Sequence, residues 1–284
     1  MFLTMKRIAV LMTCFNRVQT TLQCLRRLFA QDVPDGYSFD VWLVDDASPD
    51  KTGEKVKAAY PQVNVIPGTG KLFWCRGMRL AWDKAAEAYD YDFYLWFNDD
   101  VLLDEGALRI TIEDYEVLAN RGPRVIVGSF WESEERTRIS YTVECTEPGV
   151  LCPNGKFPQE GRYWTPGNFI FVPRDVYEKI GKISNKYHHG CGDADYVIRL
   201  SAARIPFFCP TNALGICPLN NREFRPLKDL KFTQRISLLW RPNGLHLGDV
   251  FWFRYVQKRS VLRALVSVLH VIFVAVFAKG NIRR

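Results

Sequence analysis

Short apolar segments alternate with helix-like segments over the first 130 residues, and this alternation restricts the fold more than any other feature of the chain. The apolar segments are rich in Val, Ile and aromatic residues and cover 7–14, 39–44, 63–66, 93–97 and 124–130. Apolar residues at helical spacing occupy 18–29 after the first segment and 101–118 after the fourth. Strands that alternate with helices predict an α/β fold with a mostly parallel central sheet flanked by helices.

The pattern becomes irregular after Trp131. A stretch punctuated by Pro and Gly covers 148–166, and an apolar run at 168–172 and a short helix candidate at 174–180 follow it. We expect loops and an irregular sheet in this part of the chain. Ligands of open α/β sheets bind at the carboxyl ends of the parallel strands, so polar motifs directly after strands are the first candidates for a site.

The first such motif follows the strand at 7–14 and contains Thr13, Asn16 and Arg17, just before a predicted helix. These side chains and the first amides of the helix can face a nucleotide. The alternative is that Asn16 only caps the helix.

The second motif places Asp45 and Asp46 directly after the strand at 39–44. A carboxylate there can accept a hydrogen bond from the imide N–H of a uracil or thymine ring. Helix capping is again the alternative, because Ser48 before Pro49 is a good helix start. Both roles can coexist on different residues.

The third motif is the triplet Asn98-Asp99-Asp100, in which an apolar strand ends abruptly. Oxygen ligands at a sheet end suit Mn²⁺ or Mg²⁺, which use one or two carboxylates and complete their shell with phosphate oxygens and water. Two adjacent carboxylates also repel each other, so a cation between them relieves a cost. A solvated turn is the alternative interpretation.

The fourth motif leads into a helix candidate that runs through Arg199. Asp193 is placed as the helix N-cap, and Asp195 falls in the first turn, where the helix dipole favours negative charge. His188 and His189 are of a type that binds zinc, but no Cys or carboxylate stands at a matching spacing, so zinc is not favoured.

Taken in order, these motifs resemble those of the large inverting glycosyltransferase family 2, especially its rhamnosyltransferase-like members. The motifs that carry the resemblance are Cys14-Phe15-Asn16-Arg17, Val44-Asp45-Asp46-Ala47-Ser48, Asn98-Asp99-Asp100, Thr165-Pro166-Gly167-Asn168-Phe169 and Gly192-Asp193-Ala194-Asp195. The resemblance implies a GT-A nucleotide-diphospho-sugar transferase fold over 6–218, followed by a basic C-terminal extension over 219–284.

The resemblance also implies roles for the acidic residues. Asp45 or Asp46 would contact the nucleotide base, and Asp99 with Asp100 would carry the metal, Mn²⁺ or Mg²⁺. Asn98 stands where many family members have aspartate, so Asp100 is the favoured direct metal contact. The resemblance assigns the catalytic base to Asp193, where Gly192 replaces the usual preceding glutamate.

Two further stretches complete the expected site. The glycine-rich segment 68–79 resembles a family segment near the donor, in which Lys71, Arg76 and Arg79 could neutralise a diphosphate. A surface turn with solvated basic residues is the alternative. Many family members use a later histidine as a metal ligand, but 214–218 contains none, so water fills that place or His246 reaches back.

The implied reaction moves a sugar from a UDP- or dTDP-sugar to a glycan or lipid-linked glycan. A non-catalytic nucleotide- or glycan-binding protein is the alternative, because Asn98, Gly192 and the absent histidine depart from the family pattern. Nucleic-acid binding is disfavoured, since the basic residues lie beside an apolar helix and not through an aromatic binding sheet. A nucleotidyltransferase would need a glycine-rich, lysine-bearing loop directly after the first strand, and the chain has none there.

The C-terminal extension combines positive charge with apolar sequence. Residues 222–284 hold 13 Lys and Arg against three acidic residues, and an apolar helix is predicted at 261–278. This helix is short of the roughly 20 apolar residues that span a bilayer, and its basic flanks favour a position at the cytoplasmic membrane surface. Packing on the domain or on a dimer partner is the alternative.

The cysteines and the N-terminus bear on the compartment. The eight cysteines include no C-x-x-C pair, and we expect them to be reduced, buried thiols. The apolar run at 8–12 is too short for a signal-peptide core. Both features favour the cytoplasm, with a peripheral position at the inner face of the cell membrane.

Overall fold

The computed structural model describes residues 5–145, 152–164, 167–219 and 227–277. Thr165, Pro166 and the residues from Ala278 onward, which the sequence analysis used, lie outside these ranges. The strands are β1 Lys6–Cys14, β2 Tyr37–Asp45, β3 Asn64–Pro67, β4 Phe93–Phe97, β5 Leu102–Leu103, β6 Val125–Val127, β7 Phe130–Trp131, β8 Ile139–Tyr141, β9 Val143–Cys145, β10 Gln159–Trp164, β11 Phe169–Pro173, β12 Phe207–Cys209 and β13 Gly215–Ile216. The helices are α1 Val18–Phe29, α2 Thr52–Ala59, α3 Phe73–Ala88, α4 Ala107–Val117, α5 Arg174–Ile180, α6 Gly192–Ala202, α7 Phe232–Leu238, α8 Leu247–Lys258 and α9 Val261–Phe277.

The central sheet has nine strands in the order β3-β2-β1-β4-β11-β6-β12-β10-β9, with helices on both faces. This confirms the predicted α/β class. The first four strands are parallel, and β11 then pairs antiparallel with both β4 and β6. The antiparallel strands come from the irregular part of the sequence, so the sheet is parallel on the side that carries the first three motifs.

The two faces of β1 show how the core is divided. Ile8, Val10 and Met12 pack towards one cluster with α1 and α4, whereas Ala9 and Leu11 pack towards a second cluster with α3 and α6. Alternating side chains of a strand point to opposite faces, so a strand buried on both sides is apolar throughout. β1 is therefore packed between two helical layers, and its buried end at Cys14 positions the turn that carries Arg17.

Two local predictions were wrong. The apolar run at 124–130 is not one strand, because the chain leaves the main sheet after β6 and joins a second sheet, of order β5-β13-β7-β8, as β7. The turn requires glycine at position 128. A Cβ there would lie 2.8 Å from the Phe130 ring and would clash with it. Val101 is not part of the following helix; it precedes β5, and α4 begins only after Gly106, whose φ is +76°.

The C-terminal helices have a small core of their own, formed around Leu239, Val271 and Ala275. Helix α8 packs along α9 and also contacts α6. No helix in the described residues is both long enough and apolar enough to cross a membrane. The boundary between 218 and 219 stays a prediction.

The expectation that all cysteines are reduced was wrong for one pair. Cys145 and Cys152 form a disulfide, although their separation of seven residues matches no motif. The residues between them lie outside the described ranges. The other six cysteines are free, and all of these except the half-buried Cys191 are buried.

Candidate functional site

The ends of β1, β2 and β4 meet at one edge of the sheet. Cys14 at the end of β1 is paired with Asp45 at the end of β2, and Leu11 is paired with Trp96 of β4. The residues that follow these strands, including Arg17, Asp46 and the triplet at 98–100, therefore leave the sheet at the same edge.

Arg17 binds both acidic residues of the triplet. Its Nη1 atom lies 2.8 Å from Asp99 Oδ1 and 3.1 Å from Asp100 Oδ2. The Thr21 hydroxyl donates to the other oxygen of Asp99 at 2.9 Å. The adjacent carboxylates predict a cation between them, and the guanidinium of Arg17 occupies that position.

Asp99 and Asp100 differ in exposure. The Asp99 side chain is 6% exposed and that of Asp100 is 13% exposed. Burial raises the pKa of Asp99 to about 6, and the nearby Arg17 charge opposes this shift only in part. Asp99 is thus fixed by Arg17 and Thr21, and Asp100 is the carboxylate that a bound ligand reaches more easily.

Asn98 is held by two side chains. Its Oδ1 atom accepts a hydrogen bond from Trp74 Nε1 at 2.7 Å, and its Nδ2 atom donates to Asn168 Oδ1 at 3.2 Å. A metal at Asn98 would share this amide oxygen with the Trp74 N–H, because the oxygen has two lone pairs. Sequence reasoning did not assign a role to Trp74 or Asn168, although Asn168 stands in one of the motifs that carried the resemblance.

A thiol stands beside Asp100. Cys217 Sγ lies 3.9 Å from Asp100 Oδ1, and Asn168 Nδ2 donates to the same sulfur at 3.0 Å. Burial and the Asp100 charge raise the pKa of this thiol well above its usual range, so it is neutral. Cys217 lies in the stretch where a histidine was sought, and His246 contacts His188 and Asp249 instead.

The residues present fit a divalent ion of the kind expected. Carboxylate oxygens are the donors that Mn²⁺ and Mg²⁺ prefer, and phosphate oxygens and water can complete the shell. Arg17 neutralises part of the charge on Asp99 and Asp100, and the pair keeps one net negative charge. An ion held chiefly through Asp100 is consistent with this arrangement.

Asp45 and Asp46 both accept hydrogen bonds from the backbone. Asp45 accepts from the Ser48 amide at 3.1 Å and from the Gly53 amide in the first turn of α2 at 3.0 Å. The predicted helix start at Ser48 was wrong, because α2 begins at Thr52 after Lys51. Three amides of the glycine-rich segment donate to Asp46: those of Gly70 at 2.7 Å, Leu72 at 2.9 Å and Phe73 at 3.0 Å. Asp46 thus holds this segment against the sheet edge, and base contact by either residue stays a prediction.

The first motif and the glycine-rich segment also meet through backbone packing. A Cβ at Gly77 would lie 2.3 Å from Thr13 Oγ1, so only glycine lets α3 approach β1 this closely. Asn16 is exposed, with a φ of +53°, and its amide donates to Ser48 Oγ at 2.9 Å. Its side chain does not cap α1, whose N-cap is Arg17.

The three basic residues of the glycine-rich segment are used differently. Arg79 binds Asp83 at 3.0 Å and the Ile183 carbonyl at 3.0 Å, so it ties α3 to the loop after α5. Lys71 is exposed and Arg76 is half-buried, and neither makes a side-chain hydrogen bond or ion pair with any described residue. Lys71 and Arg76 are therefore the cations available to a diphosphate.

Asp193 lies in the first turn of α6, not at its N-cap as predicted. The N-cap is Cys191, in a left-handed conformation. Asp193 accepts hydrogen bonds from the Ala194 amide at 2.8 Å and the Gly167 amide at 3.3 Å, and burial raises its pKa. A carboxylate with a raised pKa accepts a proton more readily than a surface carboxylate.

Asp195 has a structural role. It is buried, accepts a hydrogen bond from the Tyr187 hydroxyl at 3.1 Å and pairs with Arg199 at 2.9 Å. The two aspartates of α6 are therefore distinguished by their partners, because the donors to Asp193 among the described residues are backbone amides.

A short chain of hydrogen bonds joins Asp193 to the triplet. The Gly167 amide donates to Asp193, and the next residue, Asn168, bonds Asn98 through its side chain and its backbone carbonyl. Sequence placed these residues in separate motifs. The structure brings the candidate base and the candidate metal carboxylates to one site.

Packing explains why glycine precedes Asp193. A Cβ on Gly192 would lie 2.6 Å from Cys75 Sγ and 3.3 Å from Ile183 Cδ1. A glutamate side chain cannot fit here while Cys75 is in place. The departure from the family pattern is steric and leaves the position of Asp193 intact.

Comparison with known families agrees with this geometry. The model of glycosyl transferase family 2 matches residues 9–174, more than half of the chain. The chain belongs to this family. No curated protein sequence gives a significant match.

Solved structures show the same GT-A fold as this family 2 glycosyltransferase. One is the Pyrobaculum calidifontis mannosyltransferase PcManGT in complex with GDP-Man and Mn²⁺, at 15% identity and a TM-score of 0.54, over 97% of this chain and 76% of that one. Another is S. aureus TarS 1–349 in complex with UDP-GlcNAc, at 14% identity and a TM-score of 0.54, over 96% of this chain and 82% of that one.

The contact between Gly192 and Cys75 gives a testable coupling. We expect Gly192→Ala to lower the free energy of unfolding by about 1–3 kcal/mol, because the new methyl group overlaps Cys75 Sγ. In a Cys75→Ala background the same substitution should cost less, which urea denaturation of the four proteins would show. Gly190→Ala is the control, since no heavy atom lies within 4 Å of its Cβ position. An equal cost in both backgrounds would contradict the steric explanation.

Proposed function

We propose that this chain transfers a sugar from a nucleotide-diphosphate donor to a hydroxyl group of a glycan or lipid-linked glycan, with inversion at the anomeric carbon. The observation that carries the proposal is the hydrogen-bonded path from Asp193 through Gly167 and Asn168 to the triplet at 98–100. It sets a candidate base and a candidate metal carboxylate in one site. Two structures of the same fold contain nucleotide sugars, GDP-Man and UDP-GlcNAc.

Each group has a distinct task in this reaction. Asp193 takes the proton from the acceptor hydroxyl, and the oxygen of that hydroxyl attacks the anomeric carbon. The bond from this carbon to the diphosphate breaks on the opposite face. Lys71 and Arg76 neutralise the charge on the leaving diphosphate. Asp100, with Asp99, would hold Mn²⁺ or Mg²⁺, and when bound this ion adds positive charge for the leaving group.

UDP- and dTDP-sugars are the donors that we favour. Uracil and thymine carry an imide N–H, and Asp45 is the more exposed of the two aspartates after β2. Both carboxylates already accept hydrogen bonds, Asp45 from two amides and the Ser48 hydroxyl and Asp46 from three amides. The greater exposure of Asp45 is therefore what favours it as the acceptor from a base.

Replacement of the proposed base should separate chemistry from binding. We expect Asp193→Asn to lower kcat by about 10²- to 10⁴-fold and to leave donor affinity nearly unchanged, because the amide cannot take a proton. The fold should persist, since the substitution removes a buried carboxylate whose ionisation burial disfavours. Single-turnover assays with donor titration measure both quantities. Unchanged turnover would favour the alternative of a non-catalytic binding protein.

Donor and metal binding can be tested without an acceptor. We expect a UDP- or dTDP-sugar, in a panel that includes GDP-sugars, to raise the Tm of the full chain more with Mn²⁺ than without it. Asp100→Asn should abolish the Mn²⁺-dependent part of the shift. Asp90→Asn is the control, because that exposed carboxylate pairs with Arg174 beside the start of β4, at the opposite end of the strand from the triplet. No shift with any donor would count against the proposed donor class.

We further propose that α9 lies on the cytoplasmic membrane surface, where a lipid-linked acceptor would be found. The exposed large apolar side chains of α9 are Val261, Leu262, Leu265, Val266, Leu269, Phe273 and Phe277. Exposed basic residues stand next to this face: Arg254, Lys258, Arg259 and Arg263. An apolar stripe beside positive charge suits an anionic lipid surface.

Vesicle sedimentation tests this surface. The full chain should bind vesicles that contain phosphatidylserine more strongly than neutral ones, and Leu262→Glu with Leu269→Glu should weaken binding at least about 10-fold by removing buried apolar area. Val117→Glu adds charge at an equally exposed apolar position, 58%, on α4 and should have no effect. Absence of binding by the unmodified chain would contradict the membrane proposal and would leave the sugar-transfer proposal untouched.

A further inference from the structure

Two histidines and an aspartate meet between the loop that precedes α6 and the start of α8. His188 Nδ1 lies 2.9 Å from Asp249 Oδ1, and His246 Nδ1 lies 3.0 Å from the same oxygen. One ligand atom from each residue falls within 4.8 Å of the others. His188 precedes α6, whereas His246 and Asp249 open α8, so the cluster joins two distant parts of the chain.

Asp249 is buried, with 5% of its surface exposed. Within the described ranges, no Lys or Arg forms an ion pair with it, and its partners are the two imidazole rings and the His188 amide at 3.1 Å. A buried carboxylate without a cationic partner is costly in free energy. A cation at this point would remove that cost.

The hydrogen-bond geometry also points to a cation. Two groups compete for His246 Nδ1, because the Asp249 amide lies 3.3 Å from this nitrogen and Asp249 Oδ1 lies 3.0 Å from it. A neutral ring can accept from the amide or donate to the carboxylate, but its Nδ1 atom cannot do both. A metal ion bound between Nδ1 and the carboxylate oxygen would use the lone pairs of both atoms.

We propose that His188, His246 and Asp249 bind a zinc-type transition-metal ion through two ring nitrogens and one carboxylate oxygen. Zinc is bound at about 2.0–2.2 Å by such atoms, which sets neighbouring ligand atoms about 3.3 Å apart in a tetrahedron. The observed separations of 2.9 and 3.0 Å need only a small outward shift. Water or an outside group takes the fourth position.

This site differs from the one at Asp99 and Asp100 in its ligands. Imidazole nitrogen suits Zn²⁺ and Co²⁺, whereas carboxylates alone suit Mn²⁺ and Mg²⁺. Zinc could not be predicted from residue spacing, because the carboxylate partner of His188 lies 61 residues further along the chain. The inference stands apart from the proposed sugar transfer and does not depend on it.

The position of the site suggests what the metal does for the protein. The His188 carbonyl accepts a hydrogen bond from the Cys75 amide of α3 at 2.9 Å, and Asp193 follows five residues after His188. A metal at His188 therefore fixes the start of α8 against the loop between α5 and α6, which also bonds α3. It holds the C-terminal extension to the part of the fold that positions Asp193.

Metal titration of the full chain without donor tests the proposal. The chain is stripped with a chelator and titrated with Zn²⁺, Co²⁺ and Mn²⁺, and bound metal is counted by elemental analysis. We expect one Zn²⁺ per chain with a rise in Tm, visible absorption bands from Co²⁺ that Zn²⁺ removes, and no effect of Mn²⁺ at equal concentration. A chain that binds neither Zn²⁺ nor Co²⁺ overturns the proposal.

Variants assign the metal to these ligands. His246→Ala and Asp249→Asn should each weaken zinc binding at least about 100-fold, since loss of a direct ligand exceeds the effect of losing a supporting contact. Asp100→Asn and the exposed His270→Ala should bind zinc as the unmodified chain does. Full zinc binding by His246→Ala, or loss of it in Asp100→Asn, overturns the assignment. If a ligand variant does not fold, the Co²⁺ spectrum of the unmodified chain, which reports nitrogen ligands, decides.

Discussion

The site depends on the contact of Arg17 with Asp99 and Asp100. Asp99 is buried, and removal of one partner from a buried ion pair costs about 3–5 kcal/mol, because the other charge stays unpaired. The contact therefore fixes the turn after β1 to the end of β4. The contact also sets the charge of the site: one guanidinium offsets one of the two carboxylates, so a divalent ion at Asp100 would leave one net positive charge to balance a diphosphate.

The position of Asp193 depends on close packing more than on charge. Gly167 and Gly192 lie where a Cβ would approach Trp74 at 3.2 Å and Cys75 at 2.6 Å. Without side chains at these two positions, α6 and the backbone at Gly167, just before β11, come close enough for the Gly167 amide to reach Asp193. Residues with no reactive groups thus determine where the reactive carboxylate stands.

Local periodicity predicted much of the fold. The bounds of α1, α5 and β4 match the predicted segments, because their apolar residues repeat at one clear spacing. The failures all depend on contacts between distant residues. Val101 has a helical spacing to Leu108 but precedes a strand that pairs with β13, and the turn at Gly128 follows from packing against Phe169.

The sequence predicted which residues of the site lie at the sheet edge, because they directly follow the ends of parallel strands. It could not be predicted which partner each charged group takes. Asp46 bonds the backbone of the glycine-rich segment, Arg79 bonds the Ile183 carbonyl, and Arg17 binds Asp99 of the triplet. Each choice is set by three-dimensional distance, which single-sequence patterns do not contain.

The C-terminal helices connect the surroundings of the site to the surface of the protein. Asp249 opens α8 and contacts His188 of the loop before α6, while α8 packs along α9, which exposes its apolar face. These helices also share a small core around Leu239. The exposed face of α9 is therefore connected to the loop before α6 through the packing of α9 on α8 and through the contact of Asp249 with His188.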